Sequence, residues 1–485
     1  MKKGVTMSND IIKFLGFEDS NIEIIDSIYR SNQRIITLQK RLIKHYCPVC
    51  SHIMHSKGIY TRTINHPIMQ DGRQLKIKLN QRRWKCTNPI CGFTQNDEFS
   101  FIEPYRRNTS VTDLMIVTAF KDPQMTATQI AETYGVSDTH AITTFSRYVD
   151  MPARQLTEAI CIDEVYIDID FKHKYALVIQ DFISGEPIDI LPSRRQEITE
   201  PYFANIPIKQ RTKVKYLVTD MYRPYHSFVD VYFPNAISVI DSFHVVKMIN
   251  HHLHKYLLKL IRKYRDIDEL RHYELEQRLG RKVEFTSSRE YYLLKKFEWI
   301  ILKNNDDIRY SSEAKYNRKL RRYITIGEIE SMIFDIDPDL KHLRDLKEKY
   351  IRFNKQYGGK YKEAKEKLTD LIAEYDNCPY DMFHTIADSL RYHFDAIANS
   401  FIMVERHCHG DTYIKRLSNG PAEALNRIVK DMKRNGRGYK NFDHLRNRFL
   451  YSQRVNAAIL GTPKPLKEVL FKTGVSRGPY SKNPR

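Results

Sequence analysis

Asp163 is the first residue whose surroundings suggest chemistry. It lies in the strand-like run Cys161-Ile-Asp-Glu-Val-Tyr-Ile167. Because alternate strand residues share a face, Asp163 is expected on the same side as Val165 and Ile167. A carboxylate among apolar neighbours is costly unless it is paired or bound to a metal ion. Asp163 is therefore a candidate metal ligand, although a solvated aspartate on an edge strand would also explain it.

Two further carboxylates stand at the ends of predicted elements. Asp220 ends a strand predicted over Val214–Thr219, and functional groups in such sheets gather at the carboxyl ends of strands. Glu423 follows the segment Ser418–Pro421, whose Asn-Gly-Pro sequence can cap and start a helix. Taken singly, Asp220 can be a turn residue and Glu423 a capping-box or helix-dipole partner.

Taken together, three carboxylates are the protein ligands that two-metal phosphoryl transfer requires. Oxygen ligands suit Mg²⁺, and two such ions activate the attacking oxygen and stabilise the leaving one. If the strands before Asp163 and Asp220 are neighbours, the two side chains converge on one metal ion, and Glu423 would complete the site.

Four cysteines form a second candidate site. Cys47-Pro-Val-Cys50 is a CxxC knuckle, and Cys86 and Cys91 form another with four residues between them. Two knuckles supply four thiolates for tetrahedral Zn²⁺, and a site closed by four protein ligands is structural. The other three of the seven cysteines are scattered, which argues against a disulfide framework.

Residues 158–245 must position the first two carboxylates. Three strands, a helix over Ile198–Ile206 and two more strands are predicted here, with a hairpin turn at Gly185-Glu186. This is the order of a ribonuclease-H-like sheet, in which the first and fourth strands are neighbours, but many mixed α/β domains share it. The predicted strands are Ala159–Ile169, Tyr175–Gln180, Pro187–Leu191, Val214–Thr219 and Ile237–Ile240.

A helix-turn-helix pattern precedes the sheet, within residues 106–150. Gly135 opens the turn, and Ser137 can cap a second helix over His140–Tyr148. Such a helix can enter a DNA major groove, although a plain helical hairpin would also fit the pattern. The side chains predicted to reach DNA from it are Thr143, Thr144 and Arg147.

Two other stretches carry basic residues suited to phosphate contacts. Arg82 and Arg83 lie in a basic-aromatic strand before Cys86. Further cations follow Glu423, where a solvated basic face is the alternative explanation. They are Lys430, Lys433, Arg434, Arg437, Lys440, Arg446 and Arg448.

The composition agrees with a nucleic-acid partner. Lys and Arg number 79 against 59 Asp and Glu, which gives a net charge of +20. A basic excess of this size indicates a polyanionic partner, most often nucleic acid. A lysine-rich genome is the alternative explanation. No apolar run is long enough to cross a bilayer, and no signal-peptide core follows Met1-Lys-Lys3. We therefore expect a soluble cytoplasmic chain, associated with the bacterial nucleoid and without a membrane partner.

From about residue 8 to about residue 460, these motifs resemble bacterial insertion-sequence transposases of the ISL-three type, in the DDE superfamily. Met1–Thr6 lie outside the resemblance, and Ser242 stands where the family often has Arg. The motifs that carry it are Cys47-Pro-Val-Cys50, Arg82-Arg-Trp-Lys-Cys86, Ile162-Asp-Glu164, Val218-Thr-Asp-Met221 with Tyr225, Phe233-Pro-Asn-Ala236, Asp241-Ser-Phe-His-Val-Val-Lys247, and Ser418-Asn-Gly420 with Glu423, Asn426, Lys430, Lys433-Arg434, Gly438-Tyr439, Arg446 and Arg448.

The resemblance implies that Asp163, Asp220 and Glu423 are the catalytic triad and bind two Mg²⁺ ions. It implies a supporting role for Asp241 and His244 near the scissile phosphate, with simple packing as the alternative. It also implies that double-stranded DNA, as inverted-repeat ends and target, is the substrate. A synapse of two ends would need a homodimer or larger assembly. A non-catalytic DNA-binding regulator and a ribonuclease-H-type nuclease remain as other functions.

The expected architecture is multidomain, α/β plus α. It has a zinc ribbon, a helix-turn-helix and a ribonuclease-H-like catalytic domain interrupted by an all-helical insertion. The predicted segments are N-terminal strands in 1–44, a zinc ribbon in 45–97, a helix-turn-helix in 106–150, a first catalytic part in 158–245, a helical insertion in 246–405, a last catalytic part in 406–460 and a flexible basic tail in 461–485.

Overall fold

The chain divides into two compact units of mixed α/β structure. The computed structural model describes residues 12–13, 15–17, 19, 21–30, 33–70, 73–103, 106–169, 174–221, 223–408 and 410–471. The first unit contains residues up to Ala153, Val165–Ala176 and residues from Arg427 onward. The second unit contains Arg154–Glu164 and Leu177–Asn426.

A twisted sheet of long antiparallel and parallel strands begins the first unit. The strands lie in the order β1-β2-β5-β4-β3, with β6 paired to β5. The sequence predicts two N-terminal strands, around Ile22–Ile28 and Arg34–Leu38, and a turn at Ser31-Asn32. Both strands are present and slightly longer, while the turn lies outside the described residues. The strands are β1 (Ile22–Arg30), β2 (Gln33–Lys40), β3 (His45–Tyr46), β4 (Ile53–Gln70), β5 (Arg73–Cys86) and β6 (Thr94–Asn96).

Three helices follow in the same unit, α1 (Ser110–Ala119), α2 (Ala127–Tyr134) and α3 (Asp138–Tyr148). A capping box between Thr126 and Gln129 starts α2. The helix ends at Gly135, whose φ of 64° is a left-handed conformation that glycine adopts without strain. The side chain of Ser137 then accepts a hydrogen bond from the His140 N–H and caps α3, as its sequence position predicted.

The second unit is built on a mixed sheet in the order β11-β10-β7-β8-β9. Strands β7 and β10 are parallel neighbours, as the sequence predicted for the first and fourth strands. Several boundaries differ from expectation. Strand β7 ends at Tyr166 instead of Ile169, β8 ends one residue later, β10 begins at Tyr216 instead of Val214, and the predicted helix Ile198–Ile206 spans Gln196–Ala204. The turn before β9 spans residues 182–186 instead of two residues. The elements are β7 (Ala159–Tyr166), β8 (Tyr175–Asp181), β9 (Pro187–Leu191), α4 (Gln196–Ala204), α5 (Ile208–Arg211), β10 (Tyr216–Thr219), α6 (Arg223–Tyr232) and β11 (Ile237–Ile240).

Alternation along β7 separates two cores on opposite faces of this sheet. Ile160 and Ile162 are fully buried on one face with Phe203 and Phe233. Cys161 is fully buried on the other face. Asp163 follows two residues after Cys161, so the strand periodicity directs its side chain to that second face.

A helical region follows the sheet. Within the described residues, no helix is both long and apolar enough to span a membrane. The expectation of an all-helical insertion is wrong in one place, because a β-hairpin of strands β12 (Lys315–Asn317) and β13 (Arg322–Ile324) interrupts the helices. The helices are α7 (Ser242–Leu279), α8 (Arg289–Lys296), α9 (Glu298–Leu302), α10 (Ile326–Ile336), α11 (Asp339–Gln356), α12 (Tyr361–Asp376), α13 (Asp381–Tyr392) and α14 (Phe394–Asn399).

The last elements include a second hairpin that the sequence did not predict. It consists of β14 (Met403–Cys408) and β15 (Asp411–Arg416). The predicted flexible tail is also partly ordered, since Leu466–Phe471 is helical and the Lys464 N–H donates to the Arg147 carbonyl. Residues 472–485 of that tail lie outside the described residues. The remaining helices are α15 (Gly420–Asn435), α16 (Phe442–Gln453) and α17 (Leu466–Phe471).

Candidate functional site

Asp163 occupies a crowded position near the end of β7. Its Oδ2 accepts a 2.7 Å hydrogen bond from Nδ2 of Asn426, and its Oδ1 accepts one of 2.8 Å from the Glu164 N–H. Burial raises the pKa of Asp163 to about 7, and the negative charges of Asp220 and Glu423 contribute to the rise. A bound cation would stabilise the charged form of such a group.

The structure brings the three predicted carboxylates close enough for their charges to interact. Asp220 directly follows β10, which runs parallel to β7 with Val218 opposite Cys161, so Asp163 and Asp220 lie at the same edge of the sheet. Glu423 lies in the first turn of α15. The charges of both act on Asp163, which locates all three carboxylates at one site.

Packing explains how Glu423 reaches the sheet from a distant part of the sequence. Its neighbour Ala422 is fully buried, together with Leu417, against Cys161 and Val218 on one sheet face. The Cys161 Sγ also lies 3.6 Å from the Ser418 carbonyl oxygen. The start of α15 is thus anchored on the face to which Asp163 belongs.

Asp241, which directly follows β11, forms a hydrogen bond with the segment before α15. Its Oδ2 accepts a 2.8 Å hydrogen bond from the Asn419 N–H, and its Oδ1 accepts one of 3.1 Å from the Phe243 N–H. The carboxylate therefore caps α7 and holds the segment before Glu423 at once. Since Asp241 is only 7% exposed, both bonds are shielded from water.

His244 lies in the first turn of α7, beside a cleft of about 1070 Å³ that Asp220 also lines. Burial lowers the pKa of His244, while the charges of Asp220 and Asp241 oppose that shift. Its Nε2 is buried and has no hydrogen-bond partner among the described residues. The neutral imidazole therefore has a nitrogen available to a ligand in the cleft.

Two residues with contacts at the site were not among the predicted site residues. Asn426 appeared only as part of the family motif, yet it is 5% exposed and donates to Asp163. Glu164 points to the opposite sheet face, where it accepts hydrogen bonds from Tyr225 (2.6 Å) and Arg194 (2.5 Å). The three-residue spacing from Glu423 to Asn426 places both on one helix face, a signal that could have found Asn426.

The donor set fits a hard divalent cation. Three carboxylates supply only oxygen ligands, which Mg²⁺ prefers. Burial and, to a smaller extent, repulsion from Asp220 and Glu423 raise the pKa of Asp163, and a bound cation would offset both effects. The side-chain oxygen of Asn426 and both side-chain polar atoms of Asn419 are buried without hydrogen-bond partners among the described residues, which leaves polar groups for ligands or ordered water.

The four predicted cysteines converge in the first unit. Their Sγ atoms all lie within 4.8 Å of one another, so the cluster could hold a metal ion. Cys47 and Cys50 lie between β3 and β4, while Cys86 ends β5 and Cys91 precedes β6. A hydrogen bond from the His52 backbone is the main cause that lowers the pKa of Cys50 to about 6. Burial raises the pKa of Cys86 to about 12, and the Asn88 N–H, which points at the Cys86 Sγ (3.4 Å), opposes that rise. Backbone N–H groups aimed at sulfur stabilise the thiolate form that binds metal.

Several predicted DNA contacts are buried. Arg82 is 6% exposed, with its guanidinium over the Trp84 ring. Arg147 is 5% exposed and bonds to Glu103 and the Lys464 carbonyl. A DNA contact through these side chains is not available in this conformation.

Thr144 and Arg448 are also buried. Thr144 is 2% exposed and contacts His140. Arg448 is 3% exposed, and its guanidinium bonds to the Tyr439 hydroxyl and the Met125 carbonyl. Their helical spacing could not distinguish an inward from an outward face because both faces carry polar residues.

The remaining predicted contacts stay accessible in part. Arg437 and Lys440 are exposed and line, with Thr143 and Arg446, one cleft of about 1020 Å³ in the first unit. Arg446 is half-buried and donates to the Met151 carbonyl. The other exposed or half-buried members are Arg83, Lys430, Lys433 and Arg434.

Comparison with known proteins places this arrangement in a family. A model of the ISL3-type DDE transposases, described as a transposase, matches residues 160–449, which include all three carboxylates. The chain belongs to this family of transposases.

A curated relative agrees with that assignment. The transposase for insertion sequence element IS1001 of Bordetella parapertussis is 24% identical over 237 residues, which are 48% of this chain and 52% of the relative. The chain thus matches about half of the length of that relative.

Proposed function

We propose that this chain binds the terminal inverted repeats of an insertion sequence and catalyses DNA strand cleavage and strand transfer with two Mg²⁺ ions held by Asp163, Asp220 and Glu423. The observation that carries the proposal is the convergence of the three carboxylates: the parallel pairing of β10 with β7 brings Asp220 to the sheet edge of Asp163, and the packing of Ala422 anchors the first turn of the Glu423 helix on the same sheet face. Carboxylates that lie close together despite burial and mutual repulsion are typical of functional sites.

The chain's own residues would orient this site. Asn426 fixes one oxygen of Asp163, and Asp241 holds the segment that carries Glu423. The unpartnered Nε2 of His244 is positioned to hydrogen-bond a phosphate oxygen or a water molecule in the cleft beside Asp220. When bound, Mg²⁺ would activate the attacking oxygen and stabilise the leaving oxygen.

The domain assignment belongs to the same proposal. The strand order of the second unit supports a ribonuclease-H-like core, with residues 246–405 as its insertion. The cysteine cluster supports a structural zinc ribbon in 45–97, because four thiolates close the coordination sphere. The helices α2 and α3 support a helix-turn-helix in 106–150.

DNA binding would use the accessible cations and require a homodimer or larger assembly to hold two ends. The four buried residues, Arg82, Thr144, Arg147 and Arg448, are not retained as contacts. The retained residues are Arg83, Thr143, Lys430, Lys433, Arg434, Arg437, Lys440 and Arg446.

The test is cleavage of supercoiled plasmid that carries the inverted repeats flanking the gene. Purified protein with Mg²⁺ is compared with Asp163→Asn, Glu423→Gln and the control Glu363→Gln, which alters an exposed carboxylate on α12. We expect cuts at the repeat ends with the wild type and the control, and none with the two site variants or in chelator.

The same assay separates the alternative function. Tight binding to the repeats without any cleavage would favour a non-catalytic regulator derived from a transposase. Cleavage that survives Asp163→Asn would contradict the proposed triad.

A further inference from the structure

The hairpin of β12 and β13 is the most basic exposed feature of the helical region. Five cations fall within residues 315–322, and the nearest acidic residues in sequence are Glu313 and Glu328. All five side chains are exposed, and none forms an ion pair among the described residues. They are Lys315, Arg318, Lys319, Arg321 and Arg322. The guanidinium of Arg322 contacts the Met332 Sδ (3.1 Å) and its charge acts on Glu328, so the uncompensated charge is carried mainly by the other four side chains.

The hairpin is anchored so that this charge is held in place. Ile324 is 3% exposed in the core formed by the surrounding helices, and Leu320 packs against the same core. Oδ1 of Asn317 accepts hydrogen bonds of 3.1 Å from the backbone N–H groups of Lys319 and Leu320. The Tyr292 hydroxyl also donates to that oxygen at 3.2 Å. The loop thus needs little ordering before it meets a ligand.

Two tyrosines form the other exposed face of the hairpin. Tyr316 and Tyr323 are cross-strand partners, with ring centroids 5.3 Å apart. They are 54% and 70% exposed, although rings of this size are usually more buried. A tyrosine hydroxyl can donate to a phosphate oxygen, as lysine and arginine do.

We propose that this hairpin binds the phosphate backbone of double-stranded DNA without sequence preference. A polyanion of high linear charge density suits five exposed cations without ion-pair partners among the described residues, and a two-stranded ribbon fits a DNA groove. The site lies in the unit that contains Asp163 and is separate from the helices proposed to recognise the repeats. The inference deepens the proposed function and rests on it only for the identity of the DNA.

The experiment measures binding of the full-length protein to labelled duplexes by fluorescence anisotropy over a range of NaCl concentrations, without added Mg²⁺. One duplex carries the inverted repeat, and the other is unrelated. The test variant is Lys315→Gln/Arg318→Gln/Lys319→Gln/Arg321→Gln, which leaves the contact of Arg322 with Met332 intact. The control removes four surface cations that already have carboxylate partners and has the same net charge: Lys355→Gln/Lys365→Gln/Lys367→Gln/Arg391→Gln.

We expect the hairpin variant to bind more weakly, and the slope of log affinity against log salt to fall by about 0.9 for each phosphate that the variant no longer neutralises. The control should change much less, and thermal unfolding should be unaltered because the substituted side chains are exposed. We expect the hairpin variant to lose affinity for both duplexes by a similar factor. A loss of affinity for only one of the two duplexes would contradict binding without sequence preference.

The proposal would be overturned if the hairpin variant and the control gave the same slope of log affinity against log salt concentration. The hairpin would then be a surface for another partner, such as an acidic protein. Because the assay contains no added Mg²⁺, the result does not depend on catalysis. A protein that binds through the hairpin but never cuts DNA would retain this inference and refute the proposed function.

Discussion

The side-chain amide of Asn426 donates a 2.7 Å hydrogen bond to the carboxylate of Asp163, although the two residues are 263 positions apart. The same amide nitrogen lies 3.3 Å from the Glu164 carbonyl oxygen. One side chain on α15 therefore fixes the orientation of the proposed metal ligand on β7. Groups that orient metal ligands in this way have a large effect on metal affinity and rate.

Replacement of Asn426 by Ala is expected to lower the rate of strand cleavage by about 10- to 100-fold, the range for removal of a hydrogen-bond partner from a metal ligand. Affinity for DNA should be unchanged, and higher Mg²⁺ should restore part of the rate. Single-turnover cleavage across Mg²⁺ concentrations measures this, with Asn377→Ala at the exposed end of α12 as the control. A wild-type rate at limiting Mg²⁺ would show that the hydrogen bond has no such role.

Asp241→Ala is expected to destabilise the second unit by about 1–3 kcal/mol, because the buried N–H of Asn419 loses its acceptor. Cleavage should fall as well, since the segment before Glu423 is no longer held. Thermal unfolding and cleavage are measured together. Ser242→Ala, which removes only a hydroxyl that donates to Asp241 at 3.3 Å, should have a much smaller effect on both. Unchanged unfolding in Asp241→Ala would contradict the anchoring role.

The cysteine cluster predicts one zinc ion per chain, and Cys50→Ala should lose it. Structural zinc contributes directly to folding, so the N-terminal sheet should also lose thermal stability. Elemental analysis and circular dichroism measure both effects. Cys378→Ala, which removes a thiol outside the cluster, should keep the metal. Retention of zinc by Cys50→Ala would exclude the predicted ligand set.

Acid should destabilise the first unit through His444. Burial lowers the pKa of this histidine to about 4, and its ring lies 5.4 Å from Phe145. The unfolded chain binds the proton near pH 6.5 and the folded chain only near 4, so stability falls as pH decreases through that window. The loss would approach roughly 3 kcal/mol at about 1.4 kcal/mol per pKa unit.

Urea unfolding between pH 7 and pH 4 tests the histidine. His444→Phe preserves a ring beside Phe145 and removes the titrating group, so its stability should depend less on pH. His254→Phe, a surface change, should leave the dependence unaltered. If the stability of His444→Phe fell with decreasing pH as steeply as that of the wild type, the acid sensitivity would come from another group. One such group is His66, whose pKa burial also lowers to about 4.

Elements with a strong pattern were predicted well from the sequence, and those decided by tertiary packing were not. The β7 strand and the start of α15 follow from alternation and from the Asn-Gly-Pro segment before Glu423. The β12–β13 hairpin was missed because its Lys, Arg and Leu residues are also good helix formers, and its turn depends on Asn317 and on a positive φ at Arg321.

The direction of single side chains was equally hard to predict. Arg448 has the charge of a DNA contact, but its guanidinium stacks over Phe120 (5.1 Å) and satisfies the Met125 carbonyl. Asn426 looked like one polar residue among many on an amphipathic helix. Only the pairing of β7 with β10 and the packing of Ala422 show that it reaches Asp163.

The order of the three carboxylates along the chain has a consequence for synthesis on the ribosome. Strands β7 and β10, with Asp163 and Asp220, emerge long before Glu423 and Asn426, because the whole helical region is translated in between. A nascent chain can pair these strands, yet it lacks the third carboxylate and the amide that orients the first. An unfinished or truncated translation product would therefore be unable to nick the genome that encodes it.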